Sequence, residues 1–212
     1  MHTKEKSWIF PCLFQQAECR AATGLQEEDD VKAFFSPGQG QLATRVIEAE
    51  IAKSKEIRIG AHRFTYSRLK QALVNRMNKS AKVKIRLVAD DDLYWLTVDE
   101  SQGGGQFGDN GPGEAGNVSY LRDVARNTNQ SFEVKYMESN HEIHQLHHNK
   151  YLVFDDRAVF TGAGNLTGDA FDNNQPSGNF ENFYIVKVPH IVKAFREQYG
   201  QVYDGVPSPS AK

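Results

Sequence analysis

The chain has 212 residues, of which 39% are hydrophobic and 25% charged, and its formal net charge is -2 at pH 7. This is enough apolar material for one domain with a sizeable core. No stretch approaches the ~20 apolar residues that a membrane-spanning helix needs, while the near-neutral total charge excludes little.

Residues 1–30 carry Trp8-Ile9-Phe10-Pro11-Cys12-Leu13-Phe14 after Lys4 and Lys6, a short apolar run broken by Pro11 and lacking a small-residue cleavage site. We read this segment as a tail or truncated leader. Cys12 and Cys19 are the only cysteines and both fall here. They would pair in an exported protein and stay reduced in a cytoplasmic one, so localisation stays open between the two.

From Val31 the pattern becomes regular. Val31 to Phe35 reads as a strand, Ser36-Pro37-Gly38 as a turn, and Gln41 to Ser54 as an amphipathic helix. That helix buries either Leu42, Val46, Ala49 and Ala52 or Ile47 and Ile51. Glu56 to Gly60 is the next strand, Tyr66 to Asn78 a helix with Leu69, Ala72, Leu73 and Met77 on one side, and Lys82 to Val88 alternates as a strand should. Strand–helix–strand–helix–strand at this spacing predicts an α/β sandwich with a largely parallel core. Lys53 to Arg86 holds eleven Lys and Arg against the single acid Glu56. This basic run predicts a polyanionic partner, against the simpler alternative of a solvated helix face.

Asp90-Asp91-Asp92 follows the third strand. Three carboxylates there suit the Mg²⁺ of a phosphatase, a competing enzyme reading, or merely a solvated turn. Gly103-Gly104-Gly105 and Gly111-Pro112-Gly113 predict a flexible loop, and we take 91–129 as a loop insertion forming a rim over a site. Phe132 to Tyr136 resumes the sheet. His141, His144, His147 and His148 then have a spacing open to zinc; in the preferred account His148 is a nucleophile and the others line its approach. The last helix, Pro189 to Tyr203, starts on a proline and buries Ile191, Val192, Phe195 and Tyr199, and Pro207-Ser208-Pro209-Ser210 belongs to a frayed tail.

The chemistry concentrates in His147-His148-Asn149-Lys150-Tyr151-Leu152-Val153-Phe154-Asp155. Tyr151 to Phe154 is strand-forming, and residues two apart on a strand point the same way, so His148 and Lys150 share a face. A neutral imidazole beside an ammonium suits attack on an electrophile whose negative oxygens the ammonium holds, and a phosphate fits that description. Arg157 to Thr161 predicts a second strand ending in Gly162-Ala163-Gly164, with Asn165-Leu166-Thr167 as a helix start. A glycine turn into a helix N-terminus offers N–H groups to an anion. Gly162, Gly164 and Asn165 therefore join Lys150 as phosphate-binding candidates.

The spacing His148-x-Lys150-x4-Asp155-x6-Gly162-x-x-Asn165 resembles the HKD signature of the phospholipase D superfamily. Ala163 departs from it, since the family usually has Ser there and a hydroxyl donor to the phosphate is lost. Glu181-Asn182-Phe183-Tyr184-Ile185-Val186 and the last helix are similar to the small single-motif bacterial endonucleases of that superfamily, and the likeness runs roughly from Val31 to Tyr203.

The resemblance implies a phospholipase D-like α/β/α sandwich with a mixed, largely parallel central sheet over residues 31–204, a tail over 205–212, and catalysis without metal or cofactor. By the family's mechanism His148 attacks phosphorus to give a phosphohistidine, a second histidine protonates the leaving alcohol, and water releases the phosphate. Lys150 and Asn165 would stabilise charge on the phosphoryl oxygens, and Glu181 would orient the imidazole. Asp155 completes the catalytic signature, but strand parity turns it away from His148, which implies a structural role. One motif per chain implies a homodimer that completes the site.

Nucleic acid is the first substrate expectation, from the single-motif architecture and the basic run. A phospholipid such as phosphatidylcholine or cardiolipin is the second, from the superfamily and from Leu93, Tyr94, Trp95 and Leu96, which suit a bilayer surface. A non-catalytic nucleic-acid-binding module is the third; Ala163 alone favours it, and intact His148, Lys150 and Asn165 oppose it.

Overall fold

The structure, a computed structural model, describes residues 30–90, 114–138, 146–171 and 179–206. In chain order these form β1 (Val31–Phe35), α1 (Gly40–Lys53), β2 (Glu56–Ala61), α2 (Ser67–Met77), β3 (Lys84–Asp90), α3 (Glu114–Asn127), β4 (Ser131–Met137), β5 (Lys150–Phe154), β6 (Ala158–Gly162), α4 (Gly168–Phe171), β7 (Asn182–Val186) and α5 (Pro189–Gly205). The leader segment, residues 91–113, His141, His144 and the tail from residue 207 lie outside the described residues. Among those described, no helix is long and apolar enough to cross a membrane.

The strands make one seven-stranded mixed sheet in the order β1-β7-β6-β5-β2-β3-β4. β1, β2, β3, β4 and β6 run one way and β5 and β7 the other, so parallel hydrogen bonding is confined to β2–β3 and β3–β4. A parallel pair cannot be joined by a hairpin and needs a crossover, usually a helix. Helix α2 serves β2–β3, and α3 serves β3–β4. Residues 114–127 are therefore a helix, and not the loop expected across 91–129. Val118, Leu121 and Ala125 lie at helical spacing and are buried in the core, a stripe masked in the sequence by the glycine-rich run before it.

Helices α1 to α4 pack on one face of the sheet and α5 on the other, the α/β/α layering expected. Of the two stripes open for α1, the structure selects Ile47 and Ile51, joined by Ala43. Strand β5 is covered on both faces, so every residue of it is buried. Leu152 and Phe154 enter the four-helix core, while Tyr151 and Val153 pack under α5. Tyr151 meets Phe195 edge-on at 5.2 Å, and its hydroxyl donates to Gln198 at 2.6 Å.

The basic run does not make one basic face. Lys53 pairs with Glu50 at 2.9 Å, Arg68 with Glu48 at 2.9 Å, Arg58 and Arg86 with Glu56 at 2.6 and 2.9 Å, and Lys84 with Glu133 at 3.2 Å. Arg76 is buried, and its guanidinium donates to the carbonyls of Ser54, Ala81 and Lys82 at 2.7, 2.8 and 2.9 Å. The acids that neutralise the run stand mostly outside it in sequence, and two strands and two helices scatter the remaining charge. Polyanion binding therefore draws no support from this stretch as a block.

Candidate active site

The site grows from strand ends. β2 and β5 run antiparallel with Ala61 opposite Lys150, and the His62 main-chain N–H donates to Asn149 O at 2.8 Å. β3, beside β2, ends in the fully buried Asp90, whose Oδ2 accepts the His147 main-chain N–H at 2.7 Å. Residues 147–149 are thus pinned to the ends of two strands before β5 begins. His147 turns inward, 2% exposed, and His148 turns outward. Lys150 is 8% exposed, and its Nζ donates to His148 O at 3.0 Å, which sets the ammonium against the main chain that carries the imidazole.

β6 and β7 continue the same edge. Thr161 Oγ1 donates to Lys150 O at 3.2 Å, Gly162 pairs with Phe183, and Ala163 N–H donates to Asn182 O at 3.0 Å. A Cβ on Gly162 would stand 2.2 Å from Asn182 O, and one on Gly164 2.7 Å from the Phe183 ring. Both glycines are required for β7 to approach, a packing demand separate from any phosphate. Glu181, just before β7, is tied to the end of β1: its N–H donates to Ser36 Oγ at 3.1 Å, and its carbonyl accepts the Ser36 N–H at 3.0 Å. The pairing of Ser36 with Glu181 was not read from the sequence, where Ser36-Pro37-Gly38 signalled only a turn.

The helix expected from Asn165 begins instead at Gly168, and its described part is a single turn. Residues 165–166 are taken up by another contact: Leu166 forms a bridge with Phe64, donates its N–H to Arg63 O at 3.2 Å, and accepts from Thr65 and Tyr66 N–H at 3.0 Å each. An anion held by that helix end is therefore not supported. Asn165 Oδ1 is buried without a hydrogen-bond partner among the described residues.

Asp155 stands at the opposite end of β5, ~16 Å of strand away from Lys150. Its Oδ1 accepts the main-chain N–H groups of Lys55 and Glu56 at 2.9 and 2.7 Å, and Oδ2 accepts from Arg157 Nε at 3.1 Å. Its φ of 52° is the left-handed turn leading out of β5. The structure thus brings the ends bearing His148, Lys150, Gly162 to Asn165 and Glu181 to one edge of the sheet, and leaves Asp155 out of it as a structural clamp.

His62 enters unannounced. Its ring centroid lies 4.8 Å from that of His148 at an interplanar angle of 55°, and its Nδ1 is 3.9 Å from Asp90 Oδ2. The available signal was its place one residue past a strand, but nothing local says that β2 neighbours β5. Asp90 itself anchors a main-chain amide from inside the protein and is no member of an exposed acidic turn. Asp91 and Asp92 lie outside the described residues, and among those described no three His, Cys, Asp or Glu form a metal-holding group.

Burial dominates the site's electrostatics. It lowers the Lys150 ammonium below its ordinary range, with the negative charge of Glu181 opposing, so Glu181 acts on Lys150 across the strand ends. Burial likewise pushes His147 down to about 4, against the pull of Asp90, and keeps that imidazole neutral. His62 is lowered by burial, then partly restored by Asp90.

Residues 47–203 match the profile of the family described as cardiolipin synthase, PLD-like domain. No curated protein matches the chain in sequence. Among solved structures, NucT from Helicobacter pylori superposes with a TM-score of 0.62 at 16% identity, over 84% of this chain and 98% of that one. Nuc from Salmonella typhimurium, a phospholipase D family member, gives 0.56 at 19% identity over 84% and 96%. Polyphosphate kinase from Porphyromonas gingivalis gives 0.53 at 12% identity, over 84% of this chain but 24% of the kinase. At these identities the likeness is one of fold.

Proposed function

The chain belongs to the PLD-like domain family, and from that premise we propose that it is a metal-independent phosphodiesterase cleaving nucleic acid through a phosphohistidine on His148. The observation that carries this reading is the exposed His148 imidazole on a main chain whose carbonyl binds the buried Lys150 ammonium, with Glu181 in electrostatic reach. A desolvated cation acts on phosphoryl oxygens far more strongly than one in water. The His148 ring nitrogen forms the N–P bond as the P–O bond to the leaving alcohol breaks, and the leaving oxygen takes a proton. Water then attacks phosphorus, the N–P bond breaks, and the proton of the water goes to the base that served as acid. Lys150 and Asn165 hold the phosphoryl oxygens, and Glu181 steadies the cationic site. Asp155 holds the fold.

One motif supplies one such imidazole, so the proton donor is His148 of the partner subunit, across a two-fold axis. Nucleic acid is preferred because 84% of this chain superposes on 98% of NucT and 96% of Nuc, so the likeness takes in nearly the whole of both. The second reading is a phospholipid hydrolase or transferase, favoured by the family's cardiolipin synthase description and by Phe180, 82% exposed immediately before Glu181.

The test offers single-stranded DNA, duplex DNA, RNA and phosphatidylcholine or cardiolipin vesicles to purified protein in excess EDTA. Cleavage of nucleic acid that falls steeply with salt supports the proposal. Turnover of vesicles alone moves the assignment to lipid, and loss of turnover on chelation, restored by Mg²⁺ or Zn²⁺, overturns the metal-free mechanism. Light scattering and mixed dimers test the shared site: a dimer with one His148→Ala subunit loses most turnover if both histidines serve one reaction, and keeps about half if each subunit works alone.

A further inference from the structure

Three strand ends place a second imidazole against His148 within one subunit. His62 follows β2 directly and is fixed by its 2.8 Å main-chain bond to Asn149 O; its ring then meets the His148 ring at 4.8 Å. Behind it lies Asp90, fully buried, with Oδ2 3.9 Å from His62 Nδ1 and 2.7 Å from the His147 main-chain nitrogen. One carboxylate thus stands behind both the ring that touches His148 and the segment that carries it. Among the described residues, His62 Nδ1 has no hydrogen-bond partner.

We propose that His62, backed by Asp90, is a positioning residue for His148: it holds the nucleophilic ring in place, and its own protonation closes the reaction at low pH. The inference rests on His148 being the nucleophile. As the N–P bond forms, the His148 ring becomes positive. A neutral His62 beside it does not oppose that charge, whereas an imidazolium does. The groups that face His62 are Asp90 from β3, His148 and Lys150 from the β5 side, the neighbouring Arg63, and His147. Burial lowers its pKa from 6.5, Asp90 opposes, and His148, Lys150 and Arg63 lower it further. At neutral pH the ring is therefore neutral, and acidification charges it.

NMR titration of the histidine side chains, with pH profiles of kcat/KM, tests the proposal. In the wild-type protein the acidification that charges His62 should also shift the His148 ring resonance, because the two rings lie 4.8 Å apart. In His62→Phe, which keeps a ring in contact, that response should be absent. The acid limb of log kcat/KM should fall more steeply in wild type than in the variant. Asp90→Asn should move the His62 midpoint to lower pH, because the carboxylate favours the cation. His62→Ala should lose about tenfold in kcat on the neutral plateau with little change in KM, as misorientation of a reacting group does.

If His62→Phe does not fold, His62→Gln removes the titration with less bulk and carries the same expectation. A His148 resonance that does not respond at the His62 midpoint in wild type overturns the contact. An unaltered acid limb together with an unaltered kcat overturns the positioning role. The NMR arm needs no substrate, so it decides the contact even if the phosphodiesterase reading fails.

Discussion

Lys150 Nζ donates a 3.0 Å hydrogen bond to the carbonyl of His148, two residues before it in the chain. The ammonium is thereby held against the main chain that carries the imidazole. A lysine ammonium carries three N–H donors, and among the described residues that of Lys150 makes no other hydrogen bond, which leaves two for phosphoryl oxygens.

His148→Ala should abolish turnover without changing circular dichroism, because no N–P bond forms without the imidazole. Lys150→Met should lose about 10²-fold or more in kcat, yet raise the melting temperature at pH 7. The sign follows from burial. The folded-state pKa of Lys150 lies below its ordinary 10.5, so the folded protein binds that proton less tightly than the unfolded chain. The charge therefore costs stability at all pH values below the lowered pKa, and the cost disappears above 10.5. Melting curves of the two proteins should converge as pH rises through that window; a Lys150→Met protein less stable than wild type at pH 7 would contradict it.

Asp155→Ala should cost about 2 kcal/mol of stability, since two main-chain N–H groups and Arg157 lose their acceptor. The rate per folded molecule should stay at the wild-type value. Urea unfolding and an assay normalised to folded protein separate the two effects; a normalised rate that drops tenfold would return Asp155 to the site.

Gly162→Ala and Ala163→Ser are neighbours with opposite expectations. A Cβ at Gly162 meets Asn182 O at 2.2 Å, so β7 must shift and carry Glu181 with it. Loss of about 2 kcal/mol or more in stability, together with loss of activity, is expected. Ala163 is exposed and its backbone is already bonded, so Ser fits without rearrangement. The restored hydroxyl should raise kcat about tenfold, the worth of one net hydrogen bond. A rate unchanged by Ala163→Ser would place that hydroxyl away from the phosphate.

His147 should govern part of the acid sensitivity of the fold. It is buried and neutral, with its pKa lowered from 6.5 to about 4. Between those values the unfolded chain binds a proton that the folded one does not, so stability falls as pH falls through this window, by about 3 kcal/mol at its foot. Denaturant unfolding at several pH values should show a smaller loss in His147→Gln than in wild type. Equal pH dependence in the two proteins would remove His147 from the account.

The strands from Lys150 to Gly162 were legible because they are local: a strand, a tight turn and a second strand follow one another. His148 itself precedes the strand, and the helix expected from Asn165 starts at Gly168. The strand–helix alternation from Val31 to Val88 was legible because it is local too. His62 and Asp90 were not, because their role depends on β2 lying between β5 and β3, and the β2–β5 pairing joins residues roughly ninety apart in the chain. How the basic run is distributed was not legible, because charge counts see neighbours in sequence, whereas Glu48 and Glu133 pair with Arg68 and Lys84 through space. Helix α3 followed from a parallel pairing that only the assembled sheet displays. Local hydrogen-bonding and rotamer preferences set the elements and the motif; strand order and register, decided by burying two faces of one sheet at once, set which imidazole stands against His148.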